Sequence, residues 1–217
     1  MFTSRLLAAT LLAAGLLQAV EQVAFANHGT DEINLIGDVW DHSEISVAIV
    51  RGFGGMGLWE NPVRDAIGKW NAALASSAVG GLHFKLVAGQ AADVVVDLRP
   101  FTLLAIGSAQ PITKTREGCV IRGVLVNVGT GGVNKISGKL GYGLFSADEI
   151  RTIALHELGH ALGLGHAHAP ADLMFPVLQQ IPNEPSSLDK QGLETIYDWL
   201  QSGHSVRCPE PGQLVSA

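Results

Sequence analysis

The sequence contains few charged and few aromatic residues. Charged residues make up 16% of the 217 positions and aromatic residues 6%, and the formal net charge is −6. Lysine and arginine form no run, so the charge pattern does not favour binding to nucleic acid or to an anionic membrane. Apolar residues account for 47%, which argues against disorder and for one compact domain. We expect a monomer that does not bind nucleic acid.

Long apolar runs are also missing, except near the N-terminus. Residues 1–26 are typical of a secretory signal peptide: Arg5 supplies a positive charge, residues 6–20 are apolar, and residues 24–26 (Ala-Phe-Ala) match the small-x-small cleavage rule. The apolar run is shorter than the roughly 20 residues that a membrane span needs. We expect a cleaved signal and a secreted protein without stable membrane insertion. An uncleaved membrane anchor is the alternative.

The most informative stretch is residues 156–166, HELGHALGLGH. His156 and His160 are four apart and share one face of a helix. Gly163 allows the chain to leave that helix in a left-handed conformation, and Gly165 is expected to keep the turn loose, so that His166 can return to the same point. Three imidazoles leave the fourth tetrahedral position for water, which is the arrangement of a catalytic zinc. The spacing predicts a zinc hydrolase.

Glu157 lies next to the first histidine of this stretch. It is close enough to reach a metal-bound water but badly placed as a fourth ligand. A carboxylate in this position can take a proton from the water and pass it to the departing amine. We expect Glu157 to be the general base and acid of the reaction.

The pattern H-E-x-x-H-x-x-G-x-x-H followed by a methionine defines the metzincin metallopeptidases. Residues 156–176, with Met174 after the third histidine, resemble the zinc-binding block of the matrixins, the matrix-metalloproteinase-like branch. One departure is Ala167, where matrixins usually carry serine or threonine. The resemblance implies a zinc endopeptidase that acts on polypeptides. It also implies that Met174 forms a hydrophobic floor beneath the histidines and that Phe175 and Pro176 line the substrate pocket.

Apolar patterns predict both strands and helices outside this block. The predicted strands are residues 45–50, 82–87, 93–98 and 120–128, and residues 99–118 have no strong pattern. The predicted helices are residues 59–76, a helix that opens with the capping box of Ser146 and Glu149 and carries the zinc motif, and residues 188–200 with Ser187 as cap.

This order of elements resembles the metzincin catalytic domain. The resemblance implies an α+β zincin fold, with a twisted mixed and mostly parallel sheet, a zinc-bearing active-site helix, a methionine turn and a C-terminal helix. It further implies that residues 124–128 form an antiparallel edge strand along the cleft, where Val124, Leu125 and Val126 would bind the substrate. We expect a signal peptide, a lead-in, the catalytic domain and a C-terminal tail, at residues 1–26, 27–44, 45–201 and 202–217.

Cysteine is scarce, with only Cys119 and Cys208. In an exported protein such a pair is a candidate disulfide, which would close a loop of about 90 residues and stabilise the fold by roughly 4–5 kcal/mol. Two free thiols are the second interpretation. The third is a latency switch, because Arg207-Cys208-Pro209 resembles the Arg-Cys-Gly switch of matrixin propeptides, with proline in place of glycine.

Calcium is a further candidate ion, through Asp148, Asp172 or the glycine-rich loops, although a solvated surface carboxylate is the simpler interpretation. We expect no second, structural zinc, and we expect His168 to lie at the surface rather than on the metal. A rival function is a catalytically silent zinc-binding interaction module on the same fold. The presence of Glu157 argues against it, because zinc binding alone does not require that carboxylate.

Overall fold

The structure is a computed structural model that describes residues 31–51, 56–89, 91–99, 112–134, 141–176 and 181–216. The predicted signal peptide lies outside these residues. The strands are β1 (Glu32–Leu35), β2 (Glu44–Arg51), β3 (His83–Leu86), β4 (Val94–Arg99), β5 (Ile112–Glu117), β6 (Val120–Gly129), β7 (Gly131–Asn134), β8 (Gly141–Leu144), β9 (Leu164–Ala167) and β10 (Leu214–Ser216). The helices are α1 (Glu60–Ala75), α2 (Ala147–Ala161), α3 (Ser187–Ile196) and α4 (Trp199–Ser202), and a 3₁₀ turn (Met56–Trp59) precedes α1.

The main sheet has five strands in the order β3-β2-β4-β6-β5. The pairs β2–β3, β2–β4 and β4–β6 are parallel, and only β5 runs antiparallel to its neighbour. The β-branched run of β4 lies in the centre of the sheet, where Val94 and Val96 are fully buried. The predicted twisted, mixed and mostly parallel sheet of an α+β fold is confirmed.

The edge of this sheet differs from the prediction. Residues 124–128 belong to β6, which lies between β4 and β5 and pairs with both. The expectation of an edge strand there is wrong, because the backbone hydrogen bonds of β6 are already used on both sides. Val124, Leu125 and Val126 therefore cannot pair with a substrate strand, and the edge on that side is β5.

Helices α1 and α2 pack against each other beneath the sheet. α1 presents an apolar face at helical spacing, formed by Val63, Ala66, Ile67, Trp70 and Leu74. The indole N–H of Trp70 donates to the carbonyl of Leu155 in α2 at 2.9 Å, so the one polar group of that buried ring is satisfied. α2 is thereby held at a fixed distance from α1.

A second, three-stranded sheet has the order β10-β1-β9 and is antiparallel throughout. Its middle strand comes from the segment that was expected to be a lead-in. That segment is part of the core, because Ile33, Leu35, Val39 and Trp40 are all buried. The N-terminal segment therefore belongs structurally to the same unit as the zinc motif.

The last helices and the cysteines complete the fold. Ser186, rather than the expected Ser187, caps α3 in a capping box with Asp189, and α3 ends at Ile196 before the short α4.

Cys119 and Cys208 form a disulfide. The disulfide interpretation is therefore confirmed, and the free-thiol and switch interpretations are wrong. No helix in the described ranges is both long and apolar enough to cross a membrane.

Candidate metal centre

Helix α2 carries two of the predicted ligands and is fixed at both ends. At its start, Ser146 and Glu149 form the predicted capping box, with N–H to oxygen distances of 3.2 and 2.7 Å. At its end, the indole N–H of Trp40 donates to the Ala161 carbonyl at 3.0 Å, and the Tyr197 hydroxyl donates to the Leu162 carbonyl at 3.0 Å. Two carbonyls that a helix end leaves without partners are thus bonded to buried side chains.

The turn after α2 depends on two glycines. Gly163 has a φ of 102°, as predicted, and a Cβ on it would lie 2.5 Å from the carbonyl oxygen of Asp38. Gly165 does not form the expected loose turn, because it lies in β9. A Cβ on Gly165 would lie 2.7 Å from the carbonyl oxygen of Asn34 in β1. The N-terminal segment therefore comes so close to this turn that only glycine fits at both positions. His166 follows in strand β9.

The three predicted histidines come together in the structure. The ring centroids of His156, His160 and His166 are 4.6, 4.9 and 5.6 Å apart, and the candidate ligand atoms all lie within 4.8 Å of one another. Among the described residues they form the one group of three or more His, Cys, Asp or Glu side chains that could hold a metal ion. Three imidazoles at this spacing fit zinc with an open fourth position.

Backbone carbonyls fix the tautomers of two of these rings. Nδ1 of His156 lies 2.8 Å from the Leu173 carbonyl, and Nδ1 of His160 lies 2.8 Å from the Leu164 carbonyl. A carbonyl only accepts hydrogen bonds, so Nδ1 carries the proton in both rings. The lone pair of each Nε2 is left for a metal, which is the usual arrangement of metal-binding histidines.

The electrostatics of the cluster favour neutral imidazoles. Burial lowers the pKa of His156 to about 4 and lowers the pKa of His160 well below its usual value, with the neighbouring His156 adding to the second effect. Burial also lowers the pKa of His166. All three rings are therefore neutral at neutral pH, which is the state that binds a metal.

Glu157, the residue after His156 in α2, is a buried carboxyl group. The residue is only 5% exposed, and its Oε2 has no hydrogen-bond partner in the described part of the chain. Burial raises the pKa of Glu157 to about 8. A buried carboxylate oxygen without a partner is rare in proteins and calls for an explanation. The explanation is that the partner of this oxygen is a water molecule or a substrate.

The segment around Met174 packs against α2 at Gly159, between His156 and His160. Met174 is fully buried, and a Cβ on Gly159 would lie 2.5 Å from its sulfur atom, so the methionine presses directly on α2. The same segment also bonds the two halves of the motif. The Leu173 carbonyl accepts from His156, as described above, and the Met174 carbonyl accepts the N–H of Ala167 at 2.8 Å.

Together, the helix–turn–strand unit with three converging histidines, the buried glutamate and the methionine turn define the metzincin class of metallopeptidase domains. The family model described as Matrixin matches residues 40–198. The chain belongs to the matrixin family, whose members are zinc metalloproteases.

Curated relatives match shorter stretches of the chain. Matrix metalloproteinase-25 of Mus musculus is 34% identical over 64 residues, which cover 27% of this chain and 10% of that protein. Matrilysin of Rattus norvegicus is 44% identical over 48 residues, 21% of this chain and 18% of that protein. Matrix metalloproteinase-16 of Homo sapiens is 40% identical over 53 residues, 23% of this chain and 9% of that protein. The chain therefore matches less than a fifth of the length of each of these relatives.

Proposed function

We propose that this chain is a secreted zinc endopeptidase in which His156, His160 and His166 bind the metal and Glu157 is the general base. The observation that carries the proposal is the buried Oε2 of Glu157, which lacks a partner in the described residues and belongs to the residue directly after His156 in α2. A zinc-binding module without turnover would have no use for such a carboxylate. Its burial would only cost stability.

A zinc ion held by the three histidines would polarise the scissile carbonyl and make a water acidic enough to attack near neutral pH. Glu157 takes the proton of the attacking water and returns it to the amine that leaves. Burial favours the protonated carboxyl, whereas the positive charge of a bound zinc ion would favour the carboxylate. With zinc bound, Glu157 would thereby be balanced between accepting and donating a proton, as both halves of the reaction require.

The free edge of β5 is the proposed docking line for the substrate. In the described residues β5 pairs only with β6, so the outer N–H and C=O groups of β5 are available to an extended peptide. The strand is held in place because the buried Lys114 and the half-exposed Arg116 both bind Asp38, at 3.0 and 2.9 Å. Phe175 and Pro176 follow the methionine turn and remain the proposed wall of the substrate pocket.

Export and calcium binding complete the proposal. The Cys119–Cys208 disulfide supports an oxidising compartment and hence removal of residues 1–26 on export.

Calcium binding stays a prediction. Asp148 already pairs with Arg151 at 2.9 Å, and Asp172 is half-buried, so a calcium ion would have to compete with an ion pair at the first of these sites.

Substitution of Glu157 by glutamine tests the role of this residue. Glu157→Gln keeps the size of the side chain and removes the base, so we expect full zinc occupancy and a loss of turnover of roughly 10²–10⁴-fold. His156→Ala should instead lose the metal. Near-normal turnover in Glu157→Gln would remove the residue from this role. A zinc-loaded wild-type protein that cleaves no peptide would favour the interaction module.

A further inference from the structure

His166 is held differently from the other two histidines of the cluster. His156 is buried and His160 is half-buried, and the rings of both are bonded to carbonyls, whereas His166 is exposed and its ring has no hydrogen bond in the described residues. His166 also lies on β9, a strand of only four residues. The position of its ring therefore depends on the backbone of β9.

The backbone of β9 is fixed by β1. Ile33 and Leu35 of β1 pair with Ala167 and Leu164, and the register shifts between them, opposite the histidine. Asn34 lies at this shift, and its side-chain N–H donates to the His166 carbonyl at 3.3 Å. β1 is therefore the direct support of the third ligand.

A short C-terminal segment in turn supports β1. We call residues 208–216 the strap. Its last residues form β10, which pairs with β1. Before β10, the Gly212 N–H donates to the Leu35 carbonyl at 2.8 Å, and the Leu35 N–H donates to the Gln213 carbonyl at 2.9 Å. Pro211 packs so closely on Gly37 that a Cβ there would lie 2.7 Å from the proline ring.

The strap contributes little buried surface of its own. Most of its residues are exposed, and only Pro209 and Val215 are half-buried, so apolar packing alone holds it weakly. The covalent bond from Cys208 to Cys119 compensates for this. Cys119 is itself tied to the N-terminal segment, because its carbonyl accepts the Val39 N–H at 3.0 Å. The disulfide therefore keeps the strap close to β1, so that the two segments pair more readily than they would without the covalent bond.

We propose that the strap, closed by the Cys119–Cys208 disulfide, is a positioning device for the third metal ligand. It holds β1 against β9 and so presents the His166 ring to the ion that the other two histidines bind. This inference rests on the zinc centre of the proposed function. It predicts that loss of the disulfide or of β10 weakens metal binding although no ligand is changed.

Two variants test this inference. Cys119→Ser/Cys208→Ser removes the covalent bond and keeps β10, and a chain that stops after Pro209 keeps the disulfide and removes β10. The second removes mainly exposed residues, so it remains informative if the first fails to fold. The control is Leu82→Ala, which destabilises the core next to β3, at the opposite edge of the main sheet from β5.

The readout is the dissociation constant for Co²⁺, followed by its visible absorption, and for Zn²⁺ by competition. Loss of the groups that orient metal ligands typically weakens binding by roughly 10–100-fold, and we expect a rise in this range for the folded strap variants. Amide exchange at His168, whose N–H donates to the Glu32 carbonyl of β1 at 2.9 Å, should also accelerate. We expect Leu82→Ala to bind metal within about twofold of the wild type, since it leaves both ligand-bearing segments in place.

Each outcome has one meaning. Strap variants that bind Co²⁺ as tightly as the wild type, with unchanged amide exchange at His168, would overturn the inference. Equal weakening in Leu82→Ala would also overturn it, because the effect would then follow global stability. A wild-type protein that binds zinc and cleaves no peptide would contradict the proposed function and leave the strap inference standing.

Discussion

Gly159 lies between two ligand histidines in α2, and the structure predicts the sign of its replacement by alanine. Alanine in place of glycine in a helix interior normally stabilises by about 1 kcal/mol. At Gly159, however, the new Cβ would lie 2.5 Å from the Met174 sulfur and 3.2 Å from Cζ2 of Trp70. Both neighbours are fully buried, so neither side chain can swing into solvent.

The two effects can be compared. Extra atoms in a packed core cost about 1–3 kcal/mol, which outweighs the gain in helix propensity over most of that range. We therefore expect Gly159→Ala to lower the free energy of unfolding by up to about 2 kcal/mol. Displacement of Met174 would also move Leu173, whose carbonyl orients the His156 ring, so metal affinity should fall as well.

Gly68→Ala is a matched control. Gly68 lies in the interior of α1, is exposed, and has no atom within 4 Å of an added Cβ. Here only the propensity gain applies, so we expect stabilisation by about 1 kcal/mol. Urea unfolding of both variants measures the difference. If Gly159→Ala is as stable as Gly68→Ala and binds metal normally, the close packing of the methionine turn on α2 is not as described.

Two further predictions concern buried carboxylates. Asp38→Asn leaves the ammonium of Lys114, 8% exposed, without its charged partner, so thermal unfolding should show a loss of about 3–5 kcal/mol, whereas breaking the exposed Glu44–Lys85 pair by Glu44→Gln should change little; equal effects would refute the distinction. Burial raises the pKa of Asp189 to about 6 from 3.8. The unfolded chain releases this proton first, so the free energy of unfolding falls as the pH rises between these values. Asp189→Asn cannot titrate and should gain up to about 3 kcal/mol over the wild type between pH 4 and 7, and a difference that does not vary with pH would contradict this.

The convergence of the three histidines could be predicted from the sequence because its information is local. His156 and His160 are four residues apart on one helix, and Gly163 supplies the left-handed turn that returns the chain to the same point. Helical periodicity and the Ser146–Glu149 capping box predict where α2 begins and which residues share a face, without knowledge of its neighbours. Such features depend only on backbone geometry over about fifteen residues.

The edge strand could not be predicted because its pattern is hidden by charge. β5 reads ITKTRE, and Lys114 and Arg116 occupy positions where an apolar residue would indicate the buried face. Both turn towards Asp38, which is distant in sequence and neutralises them in the fold. No periodicity rule reveals a strand whose inner face is an ion pair with another segment.

The support of the third ligand was also invisible in the sequence. β1 and β10 are three or four residues long and lie at opposite ends of the described chain, with 178 positions between Leu35 and Leu214. Short strands gain their stability from pairing rather than from propensity, so neither carries a strong local signal. The third ligand thus has a predictable identity and a support that only the tertiary structure shows.

Cleavage of a mixed peptide library by the zinc-loaded protein tests the central claim most directly. We predict cleavage that stops when a chelator removes the metal, returns when zinc is added back, and is absent from folded, zinc-loaded Glu157→Gln. Extended peptides should be cut internally, because the proposed docking line along β5 is open in the described residues. Cleavage that persists in the chelated protein or in Glu157→Gln would contradict the account.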